Sequence, residues 1–509
     1  MKKMKLLLFA LAGAVVFASN IGAAKASAAT GTPISTAEEF LAMENNPSGS
    51  YYLTNDIELP ENTNLFSREN LFTGTLDGKG HKIKGYKFTG TGWCEAGIIR
   101  RAKGAAFKNI TLENVDINIQ AGANGTYCGA LVAVGIESNS YSNIKVSGNI
   151  TVTSSGAESS VIVGGIVGTD IANMEKCSNS AKITVKAENK YSGVRVGGLA
   201  GNALGETFKK CSNSGDVSVE GFCGSGDAFA AAGVAADQVK NLISCKNTGD
   251  ITVTVLASDN SPGSVNAVGI APSSEVKVQK CTNTGKIKVV ADTSCRKVYL
   301  AGIINDISHR DGVVSKCWNK GAISISGKVG GGSYDGVYAG GLCSDSVKTV
   351  ECWNKAKISV NLTEGFANVG GVCGIAYNMK NCYNIGAVSL NGDGNVGGLA
   401  GSADAGLVSG KVICNYNTGK VVGKGKANKG IIAGTYSGSD MIQKRTVYNN
   451  YYKGSGKPYG ITGISWKDWV AKATKVSSIT SGSCPKLSSK YWTYSSKAKR
   501  LILKNNKEK

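Results

Sequence analysis

Between residues 177 and 390 the chain writes Cys-x-Asn seven times, and four residues after each asparagine it opens an apolar-polar-apolar triplet. The cysteines are Cys177, Cys211, Cys245, Cys281, Cys317, Cys352 and Cys382; the asparagines are Asn179, Asn213, Asn247, Asn283, Asn319, Asn354 and Asn384. A slipped copy follows at Cys414 and Asn417. Ahead of each pair stands a small-Gly-apolar element, such as Gly164-Gly165-Ile166 or Gly197-Gly198-Leu199, recurring every 27 to 39 residues or so. Self-similarity at such a period marks a repeat architecture.

The triplets, Ile183-Thr184-Val185 through Val388-Ser389-Leu390, place β-branched or aliphatic residues at like-facing positions around a polar one. That is strand patterning with one buried face. One repeat alone cannot cover its apolar face, so neighbours must stack. The reading is an all-β, right-handed parallel β-helix of about eleven coils, advancing about 4.8 Å per coil. The recurring Gly serves close backbone approach or a positive φ. The Asn column supplies turn residues that tolerate the left-handed conformation and hydrogen-bond up the stack. Ser35-Thr36-Ala37-Glu38 reads as a capping box opening a short helix with apolar Phe40, Leu41 and Met43, which would close the first coil. The expected divisions are a signal peptide over 1–28, an N-terminal cap and first strand over 29–60, repeats over 61–435, and a basic aromatic cap or tail over 436–509.

Lys2, Lys3 and Lys5, the apolar run Leu6 to Phe17 and Ala26-Ser27-Ala28 form a secretory signal pattern. The run is too short to span a bilayer. The net charge of +21 is unevenly spread: residues 420–509 carry +16 and the leader +4, leaving a nearly neutral body. With 68 glycines but only 7 prolines and a 42% hydrophobic content, collagen and wholesale disorder are both excluded.

Tyr51-Tyr52-Leu53-Thr54-Asn55-Asp56-Ile57-Glu58-Leu59, then Phe72-Thr73-Gly74-Thr75-Leu76-Asp77-Gly78-Lys79-Gly80-His81-Lys82-Ile83, then the Gly-Gly-apolar coils resemble secreted bacterial right-handed β-helix proteins with GLUG-type repeats. The resemblance covers nearly the whole mature chain and implies an adhesin-like surface protein. Members bearing a peptidase carry His-Glu-x-x-His, which this chain lacks.

Several residue sets are candidates for chemistry. Fifteen cysteines without Cys-x-x-Cys do not suggest a zinc knuckle, and they read as a reduced, buried stack. His81 and His309 are the only histidines, too few for a His-based mechanism. Asp77 and Asp393 read as turn residues. Asp216 and Asp250 share one column and form the sole candidate carboxylate pair for a polysaccharide lyase or hydrolase, the alternative function. The outward triplet residues Thr151, Thr184, Ser218, Thr252, Ser324, Ser359 and Ser389, interrupted by Lys288, make a hydroxyl stripe suited to docking sugars. Lys467, Trp466, Trp469, Lys497, Lys499 and Arg500 make a basic aromatic end suited to anionic cell surfaces. The expectation is a secreted, non-covalently surface-associated monomer that uses no cofactor or metal. It would bind a glycan, a cell-wall polymer or a host surface protein but not nucleic acid, and it is expected to contain no transmembrane segment.

Overall fold

The computed structural model describes residues 31–122, 125–155, 160–188, 193–222, 229–256, 263–292, 295–309, 311–330, 335–346, 348–404, 410–436, 446–462 and 472–508. The leader, Cys223, Trp466, Lys467 and Trp469 lie outside them.

The chain is a parallel β-solenoid of about ten turns, 60% strand and 2% helix. One coil illustrates the rest. Strand Ala271–Gln279 ends at Lys280, whose φ of 56° turns the chain toward Cys281 and the short strand Thr282–Asn283. A second bend leads to Ile287–Asp292, then come Lys297–Ala301, a turn at Gly302, and Ile304–Ile307. Successive coils pair in register, Ile251 on Ile287 on Ile323. Because side chains alternate along a strand, Ile251, Val253 and Val255 enter the core while Thr252 and Thr254 face out. Repetition turns each inward position into an apolar column, and the columns merge into one continuous core.

At the N-terminal end, the helix Ala37–Leu41 is capped one residue later than the sequence pattern suggests: Thr36 and Glu39, not Ser35 and Glu38, form the capping box. The Glu39 amide donates to Thr36 Oγ1 at 3.3 Å and Glu39 Oε2 receives the Thr36 and Ser35 amides. Phe40 and Met43 are buried in the solenoid core, and Leu41 packs beside it. No helix among the described residues is long and apolar enough to cross a membrane.

The C-terminal end differs from expectation. Coiling continues past 435, with Tyr459–Thr462 pairing on Ala433–Tyr436 and Ala473–Lys475 on Asn450–Tyr452. Beyond these strands lies the last described segment, 476–508. It returns along the flank and seats an antiparallel hairpin, Trp492–Ser495 with Arg500–Leu503, beside rings stacked up the coils. Trp318 and Trp353 stack at 5.2 Å, Trp353 and Tyr383 at 6.1 Å, and Tyr383 and Tyr416 at 4.8 Å, all within 11° of coplanar. Trp353 Nε1 donates to the Asn506 carbonyl at 3.0 Å, Tyr383 Oη to Glu508 at 2.7 Å and Tyr416 Oη to the Leu501 carbonyl at 2.7 Å. The tail thereby satisfies polar groups that its own burial desolvates.

Candidate functional site

The asparagine column is structural. Each side-chain amide donates to Oδ1 of the next: Asn179 to Asn213 at 3.0 Å, Asn247 to Asn283 at 2.9 Å, Asn319 to Asn354 at 3.2 Å, Asn384 to Asn417 at 2.9 Å. Each also donates to a carbonyl two residues on, as Asn283 does to Gly285 at 2.9 Å. The left-handed conformation falls not on these asparagines but three residues earlier, on Lys176, Lys210, Ser244, Lys280, Lys316, Glu351 and Asn381. The recurring glycines answer to close approach rather than positive φ: a Cβ on Gly165 would lie 2.2 Å from the Gly198 carbonyl oxygen and 2.6 Å from Asn179 Cγ.

The cysteines line the core beside this column. Cys177, Cys211, Cys245 and Cys281 direct Sγ at carbonyls of the preceding coil, at 3.3 to 3.5 Å, and all described cysteines are free. Burial holds the thiols of Cys211, Cys281, Cys317 and Cys382 well above the ordinary cysteine range, so they stay protonated. The apparent slip at Cys414 resolves in register. Asn417 follows Asn384, Asn415 takes the station of Cys382, and Cys414 occupies the left-handed position with a φ of 59°.

Asp216 and Asp250 share a column as expected, but their carboxylates serve the backbone. The Asp250 amide donates to Asp216 Oδ1 at 2.9 Å, and the Lys286 amide donates to Asp250 Oδ1 at 2.8 Å. Asp77 similarly closes a turn, receiving the Lys79 amide at 2.9 Å and Asn109 Nδ2 at 3.0 Å. Asp393 lines a surface cavity of about 650 Å³ with Asp335, Glu364 and Phe366. Among the described residues no three His, Cys, Asp or Glu side chains are placed to hold a metal ion.

The hydroxyl stripe is in unbroken register from Thr151 through Thr184, Ser218, Thr252, Lys288, Ser324 and Ser359 to Ser389. It ends at Val422, and its hydroxyls are half-buried between flanking columns. At the basic end, Arg500 is withdrawn from the candidate patch. Its guanidinium holds Glu508 through both carboxylate oxygens, at 2.8 and 2.7 Å, whereas Lys497 and Lys499 are exposed.

The most chemically distinctive region was not singled out by the repeat. Where the chain bends between the strands Lys297–Ala301 and Ile304–Ile307, outward side chains of the two faces meet across a concave corner. Asn305 Nδ2 reaches Asn266 Oδ1 at 3.1 Å, and elsewhere along the same corner Arg195 Nε lies 3.2 Å from Asp237. Toward the N-terminal end, buried Glu95 is held by Arg101, by Arg100 at 3.2 Å and by Arg68 at 3.6 Å. Farther along, Tyr299 and Tyr338 pair in register and stack at 5.3 Å and 24°. Ile304 pairs with Cys343, which puts Asp306 and Asp345 at one station of adjacent coils opposite these rings. Burial, the neighbouring Tyr338 and the Asp345 and Asp306 carboxylates push the Tyr299 hydroxyl up to about 12. Tyr377 is raised by burial and by Asp345 and Asp404, and burial raises Asp306 although Ser273 bonds it. Half-buried rings beside carboxylates offer an apolar platform with acceptors at its rim.

Comparison of the chain with protein-family models, with curated proteins and with solved structures gave no match.

Proposed function

We propose that this chain is an extracellular, surface-associated, adhesin-like binding protein that engages glycans along the corner groove of its solenoid. The observation that supports this reading is the Tyr299–Tyr338 stack facing Asp306 and Asp345 in a concave corner. Sugar rings present flat C–H faces to aromatic rings and hydroxyl donors to carboxylates, and a regular solenoid repeats such contacts along a polymer. The hydroxyl stripe offers a second polar surface along the same rod. The test is a glycan and matrix-protein array probed with the wild-type chain and with a Tyr299→Ala/Tyr338→Ala double variant. Retention of one glycan class by the wild type and its loss in the variant is the expected result; equal binding by both refutes the groove as the site.

A glycan-active enzyme is the second reading, favoured by the placement of Asp306 and Asp345 at one station of adjacent coils. Paired carboxylates at close spacing are what glycoside hydrolysis requires. Running the array ligands through a polysaccharide-degradation assay separates the two, since only the enzyme shortens the polymer.

A further inference from the structure

We propose that Tyr299, Tyr338 and Tyr377, with Asp306 and Asp345, form a subsite for an organic cation: the charged nitrogen of an amino sugar or a quaternary ammonium group. The proposal takes its biological setting from the glycan-binding reading but stands on its own geometry.

Aromatic faces carry negative electrostatic potential and attract cations, most strongly where water is partly excluded. Here two rings stack with only 24° between their planes, and a third, Tyr377, lies within the field of both. The charges that act on these hydroxyls are carboxylates: Asp345 on all three, Asp306 on Tyr299, Asp335 on Tyr338 and Asp404 on Tyr377. Ser273 already bonds Asp306. Asp335 meets Arg296 at 3.3 Å, and Asp404 receives the Ser402 hydroxyl at 2.6 Å. Burial penalises negative charge at Asp306, which a cation in the groove would relieve.

An independent observation lies at the floor of the corner. Ser344 holds the register position of Asn305, the side chain that spans the corner, because Ile304 pairs with Cys343. Ser344 is 0% exposed and its Oγ has no hydrogen-bond partner. An orphaned buried hydroxyl is costly unless a ligand completes it.

The test titrates the full chain with tetramethylammonium, glucosamine, N-acetylglucosamine and glucose, followed by calorimetry and by tyrosine-ring NMR shifts. The cations are expected to bind at least tenfold more tightly than the two neutral sugars. Both Asp306→Asn/Asp345→Asn and Tyr338→Leu should abolish that preference, with circular dichroism confirming an intact solenoid. Tetramethylammonium binding alone identifies a quaternary ammonium source, and glucosamine binding with or without it identifies an amino sugar. Equal affinity for glucosamine and N-acetylglucosamine, no binding of either cation, or an undiminished preference in both variants overturns the proposal. A chain that binds these cations but no polymer on the array upholds this subsite and sinks the glycan-binding reading.

Discussion

Gly269 packs so tightly against Asn283 that a Cβ there would stand 2.8 Å from the Asn283 side-chain carbon and 2.0 Å from the Gly302 carbonyl oxygen. Glycine and asparagine in each coil are therefore one device: the missing side chain admits the amide that joins the coils. Asn283 accepts from Asn247 and donates to Asn319, both at 2.9 Å. Asn283→Ala strands both neighbours and the Gly285 carbonyl in a dry interior. The expected loss is about 2–4 kcal/mol, read as a lower urea midpoint. Asn283→Asp should be at least as harmful, because a carboxylate cannot donate onward. A midpoint unchanged in either variant would contradict the ladder's energetic role.

The flank-bound tail should be separable from the rod. Trp492 is 2% exposed, packs on Tyr383 and Tyr416 at 5.9 and 5.4 Å, and donates Nε1 to Asn381 at 3.3 Å. Trp492→Ala should weaken docking by about 3–5 kcal/mol and open Lys486 and Lys490 to trypsin while the solenoid resists. Identical digestion of variant and wild type would show that the hairpin is held by something else.

Asp170 gives the rod a pH dependence. It is 3% exposed, accepts Tyr141 Oη at 2.5 Å and Asn139 Nδ2 at 2.9 Å, and burial raises its carboxyl from 3.8 to about 6. Below pH 4 both folded and unfolded chains hold this proton. Between about pH 4 and 6 only the folded chain holds it, so stability falls as pH rises, reaching a cost of about 3 kcal/mol above pH 6. Asp170→Asn should flatten this part of the stability profile. A wild-type profile rising across the same window, with the variant parallel to it, would refute the assignment.

Asp250 is expected to act as a cap rather than a catalyst. Asp250→Asn keeps an acceptor for the Lys286 amide and should be nearly neutral, whereas Asp250→Ala should cost about 1 kcal/mol. If Asp250→Asn instead removed a polysaccharide-degrading activity at unchanged stability, the column would be an active site after all.

The buried thiols should be chemically silent in the folded chain. Iodoacetamide should leave Cys211, Cys245 and Cys281 unmodified until denaturant is added, because only the exposed thiolate reacts. Peptide mapping that found disulfides among them in the native protein would overturn the free-thiol column.

The solenoid was legible because a stack repeats its sequence constraints: the fixed step from Asn179 to Ile183 recurs because every coil turns the same corner. The left-handed station escaped notice because Lys176, Ser244 and Glu351 share a backbone conformation and no side-chain chemistry. The corner groove escaped for the opposite reason. A search for what recurs passes over an island confined to neighbouring coils, although Tyr299 to Asp306 and Tyr338 to Asp345 share the spacing Tyr-x-x-Gly-x-x-x-Asp. The docking of the tail was invisible because Trp353 meets Asn506 through a contact no local pattern encodes.

The asparagine column also has a direction. Every amide from Asn179 onward donates toward the C-terminal end, and at Asn417 the last one turns to the Ile431 carbonyl at 2.9 Å. The bonds therefore run head to tail like links in a polarised wire, each strengthening its neighbour's dipole. A coil can be spliced into this rod only if its own asparagine both receives and passes on the thread. A coil without one divides the column into two shorter wires, each with an unsatisfied end in the core.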